Sequence, residues 1–162
     1  MEYIIFDTET TGLPKPEAAS LAEQPKIIEY AAVKTDADFN IIDRIEFKCN
    51  PGEPLEAIIT KITGLTDDDL KDEKPFSAYY NDLCKFHLGT EGLIAHNLEF
   101  DRTLLYFELE RMGKTLMFPW GYKHLCTKEL SVNVGAKNSK LETLYNHVFN
   151  KSLVQLIVQW VT

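Results

Sequence analysis

"IIFDTETTGL", residues 4–13, has the composition of a strand that runs into a turn. A β-branched and aromatic run ends in two acids one residue apart, Asp7 and Glu9. Strand side chains alternate between faces, so residues i and i+2 share one. The pattern therefore sets Asp7 and Glu9 on one face and Phe6 and Thr8 on the other. Two carboxylates about 4 Å apart repel by roughly 4 kcal/mol at an effective dielectric near 20. Full solvation, protonation of one acid, or a cation between them would relieve the repulsion. The last option makes this strand end a candidate divalent-metal site and hence a candidate catalytic site.

The 162 residues suit one domain, and 44 % hydrophobic with 26 % charged residues is ordinary for a chain with a real core. No apolar run is long enough for a membrane span. The N-terminus enters a strand pattern at once, without the basic and apolar regions of a signal peptide. Cys49, Cys84 and Cys126 are odd in number and far apart, which suits free thiols in a reducing cytoplasm better than disulfides or zinc. The net charge of −8 argues against a broad basic surface for nucleic acid. It leaves room for a small nucleic-acid site in which bound metals neutralise phosphate.

Working outward from the first strand (residues 2–9), a loop with Gly12, Pro14 and Pro16 runs to residue 24. Strands follow at 26–35 and 41–49, joined by the short "DADFN", so the first three strands read as an antiparallel meander. "LEAIITKITG" is a short helix with Gly64 as its C-cap, and Thr66 caps the start of the next. "FSAYYNDLCKFH" puts Phe76, Tyr79, Tyr80, Leu83, Phe86 and His87 on one helical stripe. "GLIAH" is a short buried strand. A long helix follows, with Asn97 as its N-cap, Glu108 and Arg111 on its wet side and Gly113 closing it. "YKHLCTKELS" reads as a strand running into a helical turn, and residues 140–149 as a last helix. Strands followed by alternating helices and strands give an α/β domain on a mixed sheet.

A second constellation, "AHNLEFDRTLL" at residues 95–105, sits where a buried strand passes into that long helix. Asp101 lies one turn inside, where its side chain can point back toward the strand end. Taken together, "FDTETTGL" and "AHNLEFD" resemble the first two motifs of the DnaQ-like, or DEDDh, 3′–5′ exonucleases. This family includes the epsilon proofreading subunit of bacterial DNA polymerase III and phage relatives. "KIIEYAAV", "ITGLTDDDL" and "LETLYNHVF" support the likeness, which covers residues 3–153. It implies a ribonuclease H-like fold, an exonuclease domain over residues 1–153, and two Mg²⁺ or Mn²⁺ ions. It also implies stepwise removal of nucleotides from a nucleic-acid 3′ end, with DNA favoured over RNA. By the same likeness Asp7, Glu9 and Asp101 match three of four family carboxylates. Thr10, Thr11 and Gly12 match the loop against the terminal nucleotide, and His96 and Asn97 match polar positions beside the site. A DNA polymerase partner, the cytoplasm of a bacterial or phage-infected cell, and no membrane complete the expectation. Arg102, Lys123, Lys128 and Lys137 are candidates for phosphate contact.

The pattern breaks at its end. The family's third motif is His-x-Ala-x-x-Asp, whose His is the general base and whose Asp is the fourth carboxylate. "NKSLVQLIVQWVT", residues 150–162, contains neither. His147 reads as a surface residue of the preceding helix and His87 as structural. His124 precedes "LCTKEL", which the family uses beside the site but not for catalysis. Codons for residues 154–162, read from their third bases, permit Ala-Ala-His-Arg-Ala-Met-Gly-Asp, which is the missing motif. Residues 154–162 are therefore expected to be an aberrant, frameshifted tail, with activity impaired. A degenerate module that binds nucleic acid or a polymerase without cutting is the rival expectation, and an RNA-directed relative a third.

Overall fold

The structure is a computed structural model that describes residues 1–16 and 19–152. The expected tail, residues 154–162, lies outside the described residues.

Five strands form one sheet in the order β3-β2-β1-β4-β5. Strands β1 (Tyr3–Thr10), β2 (Ile27–Thr35) and β3 (Ile41–Lys48) are the antiparallel meander. The turn between β2 and β3 closes because the Asp36 carboxylate accepts the Asp38 and Asn40 amide protons, each at 2.9 Å. Strands β4 (Gly92–Ala95) and β5 (Lys123–Cys126) add in parallel on the other side of β1. Every residue of β4 is buried, as expected for a parallel strand with neighbours on both sides. The approach of Gly121 to Gly92 is equally tight. A Cβ on Gly121 would meet the Gly92 backbone at 3.1 Å.

Period-two alternation divides the sheet into two faces. Across the first three strands, Phe6, Ala32 and Ile45 stand in one row, and Thr8, Tyr30 and Phe47 in the next. These rows face the helices. Helix α3 (Tyr80–His87), with the 3-10 turn Phe76–Tyr79 before it, and helix α4 (Leu98–Arg111) cover them. Ile4, Tyr30, Leu83, Leu104, Leu105 and Leu109 are fully enclosed there, each Leu or Ile contributing roughly 1.5–3 kcal/mol by burial. Phe6, Tyr30, Phe47 and Tyr79 stack in series, with ring centroids 5.8, 5.4 and 4.0 Å apart. His87 belongs to this core, its Nε2 2.9 Å from the Tyr30 hydroxyl. Burial pushes its pKa down to about 3, so it is a neutral structural residue.

The smaller elements follow their local chemistry. Helix α1 (Ala57–Thr63) ends at Gly64, whose φ of 78° and amide bond to the Thr60 carbonyl make the expected C-cap. Helix α2 (Asp67–Leu70) starts from a reciprocal box between Thr66 and Asp69. Helix α5 (Thr127–Leu130) follows β5 directly, and α6 (Leu141–Phe149) ends at Asn150 in the left-handed region. His147 is on the surface, its Nε2 donating to the Val134 carbonyl at 2.7 Å.

Asn97 takes the expected N-cap position of α4, but its side chain makes no capping bond. It adopts the left-handed conformation, φ 86° and ψ 47°, and its Oδ1 accepts from Lys128 Nζ instead. An abrupt turn from β4 into α4 demands that conformation, and asparagine tolerates it. Glu108 and Arg111 are not on the expected wet face. Glu108 is 7 % exposed, because the helix is flanked there by the start of β2 as well as by the sheet.

Candidate active site

The odd-numbered residues of β1 face away from α3 and α4. Register places Asp7 beside Ala31, with Glu46 one strand further out, and Glu9 beside Glu29, with Lys48 one strand further out. Asp7 opens into a groove of about 490 Å³ on this face, together with Ile94, His96, Thr127 and Leu141. The even-numbered Thr8 points the other way, and Asp101 meets it there. Asp101 Oδ1 accepts from the Thr8 amide at 3.0 Å and from the Thr8 hydroxyl at 2.8 Å. Covalent geometry then puts the Asp101 and Asp7 carboxylates within about 9 Å of each other. The first turn of α4 thus delivers its acid to the strand that carries the other two.

All three acids are harder to ionise than ordinary carboxyls. Surrounding protein raises the Asp7 pKa, with nearby His96 opposing it. Partial burial raises Glu9, and the charges of Asp7 and Glu29 raise it further. Asp101, 2 % exposed, is pushed up to about 7 by burial; the Thr8 bonds pull it down and Asp7 pushes it up. Glu29, raised by its own burial first, was not singled out in the sequence. The signal was available, since the antiparallel pairing of "KIIEYAAV" against "FDTET" brings an acid opposite Glu9.

These donors suit a hard divalent cation. All are oxygens, and neither Asp7, Glu9 nor Asp101 is shifted by a lysine or arginine. Among the described residues no three such side chains close around a single point. Mg²⁺ does not require that, since it binds through one or two carboxylates and keeps several waters. Asp7 and Glu9, adjacent on the open face, meet that requirement.

The loop after β1 lines a separate cavity. Thr10 Oγ1 donates to the Gly12 carbonyl at 2.8 Å. Thr11 exchanges two bonds with Lys26, its amide donating to the Lys26 carbonyl and its hydroxyl accepting from the Lys26 amide. Thr11 and Gly12 line a cavity of about 580 Å³ with Gln24, Glu56, Ile58 and Ile62. His96, at the end of β4, donates from Nε2 to the Ser139 carbonyl at 2.7 Å, and its Nδ1 lies 3.0 Å from Thr127 Oγ1. Of the phosphate-contact candidates, Lys128 reaches Asn97 beside the site and Arg102 pairs with Glu99. Lys123 lies at the opposite end of the sheet. Because β5 runs parallel to β4, Lys123 stands level with Gly92 and Tyr3, and Glu91 holds it at 2.9 Å.

Comparison with known proteins identifies the family and the fold. The exonuclease family model RNase_T matches residues 4–152. The PolC-type DNA polymerase III of Halalkalibacterium halodurans is 41 % identical over 112 residues, which is 69 % of this chain and 7 % of that protein. The chain therefore spans less than a tenth of the curated relatives it matches. Exonuclease X in complex with 5′ overhanging duplex DNA superposes with a TM-score of 0.60 at 23 % identity, over 89 % of this chain and 71 % of that one. The zinc-ion-bound form of the E. coli ExoI–ssDNA complex gives 0.70 at 17 %, over 90 % and 34 %. At these identities the two structures speak for the fold, a ribonuclease H-like mixed sheet flanked by helices.

Proposed function

The chain belongs to the exonuclease family, and from that membership we propose a finer reading: a divalent-metal-dependent 3′–5′ exonuclease domain acting on single-stranded DNA. One observation carries it. Asp7 and Glu9 share the open face at the end of β1 while Asp101 reaches the same strand end through Thr8, all three with raised pKa values. Such a trio is stabilised by added positive charge. The site residues are Asp7, Glu9 and Asp101 as metal-holding carboxylates, with Mg²⁺ or Mn²⁺ as the ion. When bound, the metal supplies a nucleophilic hydroxide and stabilises the leaving 3′ oxygen. Thr10, Thr11 and Gly12 form the wall for the terminal nucleotide. His96 and Asn97 fix the β4–α4 turn beside it. The polymerase identity of the PolC-type relative supports a DNA polymerase as partner, and the bacterial cytoplasm as the place of action. No helix among the described residues is long and apolar enough to cross a membrane.

A second observation supports a slow rate. No described imidazole other than His96 approaches Asp7, and His147 is committed to the Val134 carbonyl. Residues 150–162 supply neither a histidine nor an aspartate. The 162-residue polypeptide accordingly binds metal and DNA ends but hydrolyses slowly. The test is fluorescence anisotropy with a labelled oligonucleotide carrying a free 3′ end, beside a circular oligonucleotide of the same composition. Mn²⁺-dependent binding of the linear molecule, lost in Asp7→Ala, supports the reading. Equal binding of both, or binding indifferent to Mn²⁺, overturns it.

A further inference from the structure

One buried ion pair has no part in the chemistry above. Glu108 and Arg111, one turn apart on α4, lie 3.1 Å from each other. Both are largely enclosed, a costly arrangement unless the remaining donors and acceptors are used. Glu108 Oε1 and Arg111 Nη2 meet a single target, while buried Arg111 Nη1 makes only the ion pair. Glu108 Oε1 accepts the Ile27 amide proton at 3.0 Å. Arg111 Nη2 donates to the carbonyls of Gln24 at 2.7 Å, Pro25 at 3.0 Å and Leu21 at 3.3 Å. Together they seize the returning limb of the loop between β1 and β2. That limb holds the outgoing one: Gln24 Oε1 accepts from the Lys15 amide at 2.9 Å, and Lys26 exchanges two bonds with Thr11. The pairing of β1 with β2 also shifts register here, Glu9 facing Glu29 but Thr10 facing Ile27. Irregular pairing of this kind re-aims side chains at strand ends.

We propose that Glu108 and Arg111 are positioning residues for the DNA end: they clamp residues 21–27 so that Thr10, Thr11 and Gly12 present a fixed wall to the terminal nucleotide. The claim rests on the nucleic-acid reading of the site. Asp101 and Glu108 are two turns apart on one face of α4, and each takes an amide proton from the sheet, at Thr8 and at Ile27. One helix thus sets the metal-holding strand and the nucleotide wall in a single frame. Clamp and metal acids are separate contacts, so they are separable by mutation.

The experiment compares the full chain with Arg111→Met and Arg111→Lys at a temperature where circular dichroism shows all three folded. Lysine keeps a charge beside Glu108, which protects folding, but its one nitrogen cannot hold Glu108 and the carbonyls at once, as Nη1 and Nη2 of the guanidinium do. Loss of charge-assisted bonds of this kind corresponds to about ten- to hundredfold in an equilibrium. In both variants the Thr11, Lys15 and Ile27 amides should exchange about tenfold faster or more while the Thr8 amide is unchanged. Affinity for an oligonucleotide with a free 3′ end should fall about tenfold, with Mn²⁺ affinity held within about twofold. Wild-type oligonucleotide affinity in Arg111→Lys overturns the positioning role alone. A wild-type chain that does not bind the oligonucleotide overturns the nucleic-acid reading, and the positioning role with it.

Discussion

Asp101→Asn tests the electrostatics of the site without a metal. The asparagine keeps a carbonyl oxygen for the Thr8 amide and hydroxyl, so it removes the titration and spares the geometry. The Asp101 pKa is pushed up to about 7 in the folded chain from 3.8. Between those values the folded state holds a proton that the unfolded state has lost, so stability falls as pH rises. At 1.36 kcal/mol per unit, wild type should lose about 4 kcal/mol relative to Asp101→Asn between pH 4 and pH 8. The assay is urea unfolding of both chains in chelator across that range. Saturating Mn²⁺ should offset the loss at high pH, because a ligand at a hundred times its Kd adds about 2.7 kcal/mol to the folded state. Wild-type and Asp101→Asn stabilities that run parallel with pH would refute the reasoning, since Asp101 would then ionise alike in both states.

Asp7→Ala should abolish Mn²⁺ heat in calorimetry while leaving the melting temperature of the metal-free chain unchanged or raised, because an acid of raised pKa is removed. His87, with its pKa near 3 in the core, binds its proton more readily in the unfolded chain. Its stabilising contribution is therefore lost as pH falls from about 6.5 toward 3, by up to roughly 1.4 kcal/mol per unit, and His87→Phe should flatten that slope in acid unfolding curves. Oligonucleotide binding should depend weakly on salt, given the net charge of −8, with a slope corresponding to two or three released ions on the order of 0.7 per phosphate contact. A slope for eight or more contacts would contradict a small local site.

The sheet was legible because periodicity of two and of 3.6 is written directly in the apolar positions. The meander, the buried β4 and the helices after it all follow from it. The Asp7 and Glu9 pair was legible for the same reason, since alternation alone sets two acids on one face. Glu29 escaped notice because its importance depends on register between strands, and the register shifts one residue beyond Glu9. Glu108 and Arg111 were misread as a solvated turn of α4. Charge in a helix is solvated by default, and only the path of residues 21–27 across that helix makes them buried. Lys123 was misplaced because a four-residue strand gives no local sign of running parallel to its neighbour, and direction decides which end of the sheet its first residue occupies.

A metal-dependent nuclease that works from the 3′ end is tested by digestion of a 5′-labelled single-stranded DNA under single-turnover conditions with Mn²⁺. A ladder should retreat slowly from the 3′ end, and should vanish with chelator and in Asp7→Ala. A chain whose tail is replaced by the frame carrying His-Arg-Ala-Met-Gly-Asp should give the same ladder about 10²–10⁴ times faster, the usual worth of a general base. Release of the label as a mononucleotide in the first turnover, an undiminished ladder in Asp7→Ala, or no shortening even with the replaced tail would contradict the claim.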